Sequence, residues 1–344
     1  MARRRFDESD VHIRPGKGSR PRTKKRPAHK DAVFGMVVTK DRGRWGVVLD
    51  SAAPESAAVL GGSPSSTQVV CMRARELGRT PIEVGDRVGV VGDTSGNPGT
   101  LARIVKLAER TSVLRRTADD TDSYERIVVA NAEQLLVVCA VADPPPRSGF
   151  VERSLIAAFA GGIQPIIVLT KSDLADPQPF AAEFAALDVP VIVCGIGDPL
   201  GPLSEVLAGR ITALVGHSGV GKSTLVNRLV PHAKRATAAV SGVGKGRHTS
   251  TQSVALQLPD PRGGWIIDTP GIRSFGLAHV DADQVVGVFS DLEEATADCP
   301  RGCTHLGPPA DPECGLDNLD GASARRAQAV RRLLAALRTN VDWE

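Results

Sequence analysis

The chain has 344 residues and a formal net charge of +3, and its 42% apolar and 24% charged content is that of a soluble globular protein. It contains no run of about 18 apolar residues, which argues against a membrane protein, and its length predicts two or three domains. The polar N-terminus lacks the apolar segment of a secretory signal, so we expect a cytoplasmic protein without a membrane partner.

The first 31 residues are predicted to form a disordered basic tail. Residues 1–30 hold 11 Lys or Arg against three acidic residues, together with Gly and Pro and almost no apolar side chains. Such a segment cannot build a core of its own. It is either a solubilising extension or an arm that neutralises the phosphates of a nucleic acid.

Residues 32–116 are predicted to form a small β-barrel. Short β-like runs, separated by clusters of Gly, Pro, Ser and Asp, occur at 33–38, 45–49, 68–73, 87–91 and 101–107. Five short strands fit an OB-type barrel, which commonly binds oligonucleotides, although barrels of this size also serve as spacers.

Residues 117–277 change to the pattern of an α/β nucleotide-binding domain. Apolar runs of the kind buried in a parallel sheet alternate with helical stretches, and we predict strands at 134–141, 165–169, 189–194, 211–215 and 265–267. This alternation is typical of a doubly wound sheet.

A candidate base-recognition segment follows the strand at 165–169. Its residues, Thr170, Lys171, Ser172 and Asp173, are similar to the Asn-Lys-x-Asp signature by which GTPases recognise guanine. Asp173 would accept hydrogen bonds from N1 and the 2-amino group of guanine, and Lys171 would lie its stem along the base. Thr in place of Asn removes an amide that normally ties this strand to the phosphate loop. A Lys-Ser-Asp tripeptide alone is also common on protein surfaces.

The strongest motif is a phosphate-binding loop between the strand at 211–215 and a predicted helix at 224–229. It reads Gly-x-x-x-x-Gly-Lys-Ser, and its nucleotide-binding residues are Gly216, His217, Ser218, Gly219, Val220, Gly221, Lys222, Ser223 and Thr224. The glycines let backbone N–H groups turn towards the β-phosphate, Lys222 pairs with the β and γ oxygens, and the Ser223 hydroxyl binds Mg²⁺.

A third motif, Asp-Thr-Pro-Gly, begins at Asp268 and ends at Gly271. Asp268 is the candidate that holds Mg²⁺ through water, and Gly271 is the switch glycine whose amide meets the γ-phosphate; a plain strand-ending turn is the alternative. Between this motif and the phosphate loop lies a polar stretch at 244–251, where Thr249 or its neighbour Ser250 is a candidate to close over Mg²⁺.

The order of these motifs is permuted. Ordinary GTPases carry the base-recognition segment last, whereas here it comes first. In a doubly wound sheet the ligand sits at the carboxyl ends of the strands, so the site survives rejoining of the chain if the strand positions are kept.

Together the phosphate loop, the Gly-Arg-His-Thr stretch at 246–249 and the segment at 268–275 closely resemble the circularly permuted, ribosome small-subunit-dependent GTPases of the RsgA family. The likeness covers about 32–338. It implies a late-acting assembly factor of the small ribosomal subunit, with the barrel on ribosomal RNA and slow GTP hydrolysis that the subunit stimulates. Ile272 occupies the place of the water-orienting Gln of Ras-like proteins, so His248 is our candidate for that catalytic role beside Lys222. A surface or RNA-facing His248 is the alternative.

Residues 278–344 are predicted to form a helical zinc-binding region. Three thiols and one imidazole, the donor set of a tetrahedral structural Zn²⁺ site, occur at Cys299, Cys303, His305 and Cys314. Similar proteins have a shorter gap before the last Cys, so Cys314 is the least certain ligand, and free cysteines beside an incidental His are the alternative. The other three cysteines, at 71, 139 and 194, are assigned to cores.

The last predicted helix, at 323–338, carries apolar residues on one side and an arginine-rich surface on the other. The arginines, which would face either solvent or RNA, are Arg325, Arg326, Arg331, Arg332 and Arg338.

The sequence therefore favours a Mg²⁺-dependent GTP hydrolase that binds GTP and GDP, works with the small ribosomal subunit and its rRNA, holds one structural Zn²⁺ and acts as a cytoplasmic monomer. Two other hypotheses stay open. One is an RNA-binding switch in which GTP is a ligand and hydrolysis incidental, and the other is a P-loop kinase.

Overall fold

The computed structural model describes residues 29–50, 67–116, 126–231, 253–269, 275, 277 and 280–338. Within these ranges the chain forms thirteen strands and seven α-helices. Among the helices of this described part, none has the length and apolar character that a bilayer crossing requires.

The first five strands form a closed barrel, as the sequence predicted. They are β1 (Val33–Asp41), β2 (Arg44–Leu49), β3 (Gln68–Arg73), β4 (Arg87–Gly92) and β5 (Ala102–Leu107). Their order is β1-β2-β3-β5-β4, and pairing of β1 with β4 closes the ring. Side chains alternate between the two faces; on β3, Val69 and Cys71 are buried while Val70 and Met72 are exposed.

A two-stranded hairpin that the sequence did not predict follows the barrel. It consists of β6 (Val113–Arg116) and β7 (Arg126–Ala130). The loop before β4 packs against it, because the Ala130 amide donates to the Val84 carbonyl at 3.0 Å and the Asn131 side chain donates to the Gly85 carbonyl at 3.0 Å. Asp86 in the same loop is fully buried and accepts two hydrogen bonds from Arg110.

Six further strands form an α/β sheet. They are β8 (Gln134–Ala140), β9 (Gln164–Thr170), β10 (Val191–Cys194), β11 (Ile211–Val215), β12 (Val254–Gln257) and β13 (Trp265–Asp268). Their order is β10-β9-β8-β11-β13-β12, and all neighbours run parallel except β12, which is antiparallel to β13. The central strand β8 is buried along its whole length, which explains its continuous apolar run.

Four helices connect these strands: α1 (Ser148–Ala160), α2 (Gln178–Ala182), α3 (Gly201–Leu207) and α4 (Lys222–Leu229). The order of the elements, together with the barrel and the C-terminal region described below, confirms the predicted fold class.

The barrel and the α/β sheet are joined edge to edge. Strand β12, which the sequence did not predict, pairs with the first barrel strand in the register Thr39 with Val254. One hydrogen-bonded sheet of eleven strands therefore runs through both.

The C-terminal region contains α5 (Ala282–Val286), α6 (Ser290–Thr296) and α7 (Gly321–Arg338). Helix α5 begins with a capping box in which the Asp281 side chain accepts from the Gln284 amide and the Gln284 side chain accepts from the Asp281 amide. Helix α7 buries Ala327, Val330 and Leu334 on its predicted apolar side.

Three of the arginines on α7 contact other parts of the chain, and two of them, Arg326 and Arg331, are mostly buried in ion pairs. Arg326 pairs with Asp291 at 2.5 Å and also with Asp188. Arg331 pairs with Asp317 at 2.8 Å, and Arg332 donates to the Glu183 carbonyl at 2.7 Å. For Arg325, Arg332 and Arg338, which are not held in buried ion pairs, solvent and RNA stay open as alternatives.

Candidate functional site

The phosphate loop lies between β11 and α4, as predicted. Gly221 caps α4 with φ +96°, a conformation that a residue with a Cβ rarely adopts. Gly216 approaches the neighbouring strand so closely that a Cβ on it would lie 2.5 Å from the Val138 carbonyl oxygen. Both glycines are therefore required by the backbone path that forms the loop.

Lys222 lies inside this loop. Its Nζ donates to the Gly216 carbonyl and, at 2.8 Å, to the His217 carbonyl. Burial lowers the pKa of Lys222, and the nearby Asp268 carboxylate partly opposes that shift. An ammonium group that is poorly solvated in this way gains from contact with an anion.

Asp268 ends β13, the strand beside β11, and stands level with Leu214 in the register. Burial raises the pKa of Asp268, while Lys222 acts in the opposite direction. The adjacent Thr269 is buried and its hydroxyl donates to the Leu214 carbonyl. The carboxylate and the phosphate-loop lysine therefore influence each other electrostatically at the carboxyl ends of neighbouring parallel strands.

His217 anchors the loop from the other side. Its ring contacts Phe150, with the ring centroids 4.3 Å apart. Burial, followed by the charges of Arg147 and Lys222, lowers the pKa of His217. The lowered pKa favours the neutral imidazole, which packs against Phe150 as an aromatic ring.

Thr170, which stands where the guanine-recognition signature has Asn, still connects its strand to the phosphate loop by a hydrogen bond. The Thr170 hydroxyl donates to the Val220 carbonyl of the phosphate loop at 2.5 Å, and the Cys139 carbonyl lies 3.3 Å away. The expected loss of this connection was wrong, because a buried hydroxyl at the end of β9 reaches the loop directly.

The base-recognition segment and the phosphate loop border one cleft of about 250 Å³. Its lining residues are Thr170, Lys171, Asp173, Leu174, Cys194, Ile196, Gly221, Thr224, Leu225 and Arg228. Asp173 is exposed, and Lys171, at φ +59°, donates from its Nζ to the Asp143 carbonyl. Ser172 does not line the cleft and instead donates to Asp198 at 3.2 Å.

The sequence interpretation missed five residues of this cleft, namely Leu174, Cys194, Ile196, Leu225 and Arg228. Cys194 is 4% exposed, so its assignment to a core is confirmed, yet it also borders the cleft. The signal that could have found these residues is topological, because the loop after every parallel strand opens at the same edge of the sheet.

Three predicted site residues lie outside the described residues. They are His248, Thr249 and Gly271. The roles given to them stay predictions.

The three cysteines and the histidine near the C-terminus come together, including Cys314. The sulfurs of Cys299, Cys303 and Cys314 lie 3.8, 3.5 and 3.7 Å from His305 Nδ1, and all four donor atoms lie within 4.8 Å of one another. A tetrahedral Zn²⁺ with ligand bonds of about 2.0–2.3 Å separates sulfur and nitrogen by about 3.6 Å. The cluster therefore fits a closed zinc site.

Neighbouring groups orient these four residues. His305 is 3% exposed, and its second ring nitrogen, Nε2, lies 2.8 Å from an Asp283 carboxylate oxygen, which suits Nδ1 as the ligand atom. The Gly315 amide donates to the Cys299 sulfur at 3.2 Å. Hydrogen bonds from Thr304 and Leu306 lower the pKa of Asp311 to about 2, and this carboxylate thereby ties together the segment between Cys303 and Cys314.

The chain is similar in sequence to known proteins over most of its length. The family profile described as RsgA GTPase matches residues 107–278. A protein of Gemmatimonas aurantiaca named small ribosomal subunit biogenesis GTPase RsgA is 38% identical over 289 residues, which are 82% of this chain and 89% of that protein. A protein of the same name from Chlorobaculum parvum is 35% identical over 70% of this chain and 79% of its own length.

Two solved structures share the fold. The crystal structure of YjeQ from Thermotoga maritima matches with a TM-score of 0.60 and 22% identity, covering 88% of this chain and 98% of that one. The structure of YloQ, described as a circularly permuted GTPase, matches with a TM-score of 0.58 and 20% identity over 92% and 99% of the two chains.

Proposed function

Since this chain belongs to the RsgA family, it is a GTPase, and we propose that it acts in the maturation of the small ribosomal subunit, which stimulates its GTP hydrolysis. The observation that carries this proposal is a cleft that both the phosphate loop and the base-recognition segment line. A hydrogen bond from Thr170 to Val220 connects these two segments. We expect the protein to act in the cytoplasm, where it would bind GTP, GDP and the small ribosomal subunit.

Each motif has a distinct role in this site. Lys222 neutralises charge on the β- and γ-phosphates, and Asp173 selects guanine through its carboxylate. Ser223, exposed at the start of α4, would offer its hydroxyl to Mg²⁺, Asp268 on the strand β13 would hold the ion through water, and Thr249 would be a further ligand. When bound, Mg²⁺ would offset negative charge on the phosphates. Gly271 would donate its amide to the γ-phosphate, and His248 would orient the attacking water.

The outer face of the barrel supports RNA binding. Arg44 on β2, Met72 on β3 and Arg103 on β5 are neighbours across the strands and all are exposed. Cross-strand neighbours share a face, so this row presents two guanidinium groups beside an apolar surface. Phosphates would bind the arginines and unstacked bases would cover Met72. The basic tail at 1–31 would add sequence-independent phosphate contacts.

Zinc binding by the Cys and His cluster is a separate prediction. We expect purified protein to contain about one equivalent of Zn²⁺, and Cys303→Ser to contain less than about half, because a structural site needs four ligands. Elemental analysis by mass spectrometry measures this. The matched control is Cys194→Ser, a buried cysteine outside the cluster, which should keep its zinc. Protein with full GTPase activity but no zinc would contradict the prediction.

The proposed function is tested by phosphate release from GTP and from ATP, alone and with purified small ribosomal subunits. We expect GTP-selective hydrolysis that small subunits accelerate by at least about tenfold, because an activating partner completes a site that lacks its own water-orienting Gln. Large ribosomal subunits serve as the control. Tight GTP binding without stimulation would instead support the RNA-binding switch in which hydrolysis is incidental.

A further inference from the structure

One wall of the nucleotide cleft is a short loop at 195–198, which follows β10 and which we call the base-side loop. It lines the cleft together with Lys171 and Asp173, and Ile196 in this loop is 74% exposed. Leu174 is 56% exposed and lines the same cleft. Two exposed apolar side chains that line this cleft suit the faces of a planar base.

The loop is closed by its own polar groups. The Asp198 carboxylate accepts from the Gly195 amide at 2.6 Å and from the Ser172 hydroxyl at 3.2 Å. The Asp198 amide donates back to the Gly195 carbonyl at 3.2 Å. A Cβ on Gly195 would lie 2.5 Å from the Ser172 oxygen, so the loop packs directly against the base-recognition segment.

A single side chain from the phosphate-loop helix holds both ends of this loop. Arg228 on α4 donates from Nη1 to the Gly195 carbonyl at 2.8 Å and from Nη2 to the Asp198 carbonyl. The planar guanidinium fork can satisfy two carbonyls at once, which an ammonium group cannot match in fixed geometry. Arg228 is half-buried and borders the cleft itself.

We propose that Arg228 is a positioning residue for guanine recognition, which fixes the base-side loop so that Ile196 covers the base while Asp173 reads its edge. The helix that begins at the phosphate loop thereby also shapes the base pocket. Arg228 can act in this way only if the cleft is the guanine site, so the inference rests on the function proposed above.

The test is GTP hydrolysis by Arg228→Ala and Arg228→Lys without ribosomal subunits, together with displacement of a fluorescent GDP analogue by GDP and by ADP. For Arg228→Ala we expect the KM for GTP and the Kd for GDP to rise by about tenfold, since two charge-assisted hydrogen bonds are lost. The kcat at saturating GTP should stay within about twofold, because the hydrogen bonds of the guanidinium go to the base-side loop and not to the phosphate loop. Arg228→Lys should give intermediate values, since it can hold one carbonyl at a time.

Arg210→Ala is the matched control, because Arg210 pairs with Glu133 at the opposite end of β11 and is 55% exposed. Unchanged KM and GDP affinity in folded Arg228→Ala would overturn the inference. If that variant does not fold, wild-type values in Arg228→Lys would overturn it equally. A wild-type protein that binds ADP as tightly as GDP would instead refute the function of the cleft, so the two failures are distinguishable.

Discussion

Replacing Lys222 by alanine is expected to lower the rate of GTP hydrolysis by about a hundredfold or more. The Lys222 ammonium sits among loop carbonyls, with burial lowering its pKa, so it is poised to exchange weak neutral partners for phosphate oxygens. Alanine leaves the charge that develops on the transferred phosphoryl group without this partner. Single-turnover phosphate release from GTP, at protein concentrations above the Kd, separates the chemical step from weaker binding.

Lys106→Ala is the control for this experiment, because Lys106 lies on the barrel strand β5, away from the phosphate loop. It should hydrolyse GTP at the wild-type rate in the absence of ribosomal subunits. A Lys222→Ala protein that keeps more than about a tenth of the wild-type rate would contradict the role given to Lys222.

Replacing Asp86 by alanine is expected to lower the free energy of unfolding by about 3–5 kcal/mol. Asp86 is fully buried, and Arg110 donates to both its oxygens at 2.7 and 2.8 Å. The Glu83 amide donates to the same carboxylate at 2.7 Å. The substitution removes the carboxylate partner of Arg110, whose side chain is only 17% exposed. It also removes the hydrogen-bond acceptor of the Glu83 amide. The loop that contains Asp86 also joins the barrel to β7, because the Ala130 amide donates to the Val84 carbonyl. The substitution should therefore destabilise both the barrel and the β6–β7 hairpin.

Urea unfolding followed by tryptophan fluorescence measures this loss, since Trp45 is buried in the barrel and donates to the Ile82 carbonyl near the Asp86 loop. The matched control is Asp50→Ala, which removes an Arg pair of similar geometry whose side chains are 44% and 46% exposed. That exposed pair should contribute less than about 1 kcal/mol. Equal losses for the two variants would refute the importance of burial at Asp86.

The sequence predicted the parts of this site that local spacing determines. A strand, a Gly-x-x-x-x-Gly-Lys-Ser loop and a helix are contiguous, so the backbone path around Lys222 follows from the residues themselves. The barrel strands were found because short runs of β-forming residues, bounded by clusters of Gly, Pro, Ser and Asp, are a short-range pattern.

What the sequence could not predict depends on contacts between distant segments. Whether the hydroxyl of Thr170 replaces an amide is decided by its distance to Val220, which no motif specifies. Arg228 and Asp198 meet because β9, β10 and α4 converge, and neither residue carries a motif. Likewise Arg326 finds Asp188 and Asp291 only when α7 is packed, so its charge resembled a solvated or RNA-binding surface.

The pairing of Thr39 with Val254 has a consequence for how the α/β sheet stays soluble. Without the barrel, β12 would be an outermost strand whose outward backbone amides and carbonyls lack partners, and such edges recruit strands from other molecules. Strand β1 occupies that position in the intact chain. The barrel therefore also protects the edge of the nucleotide-binding sheet, shielding it from intermolecular strand addition and aggregation.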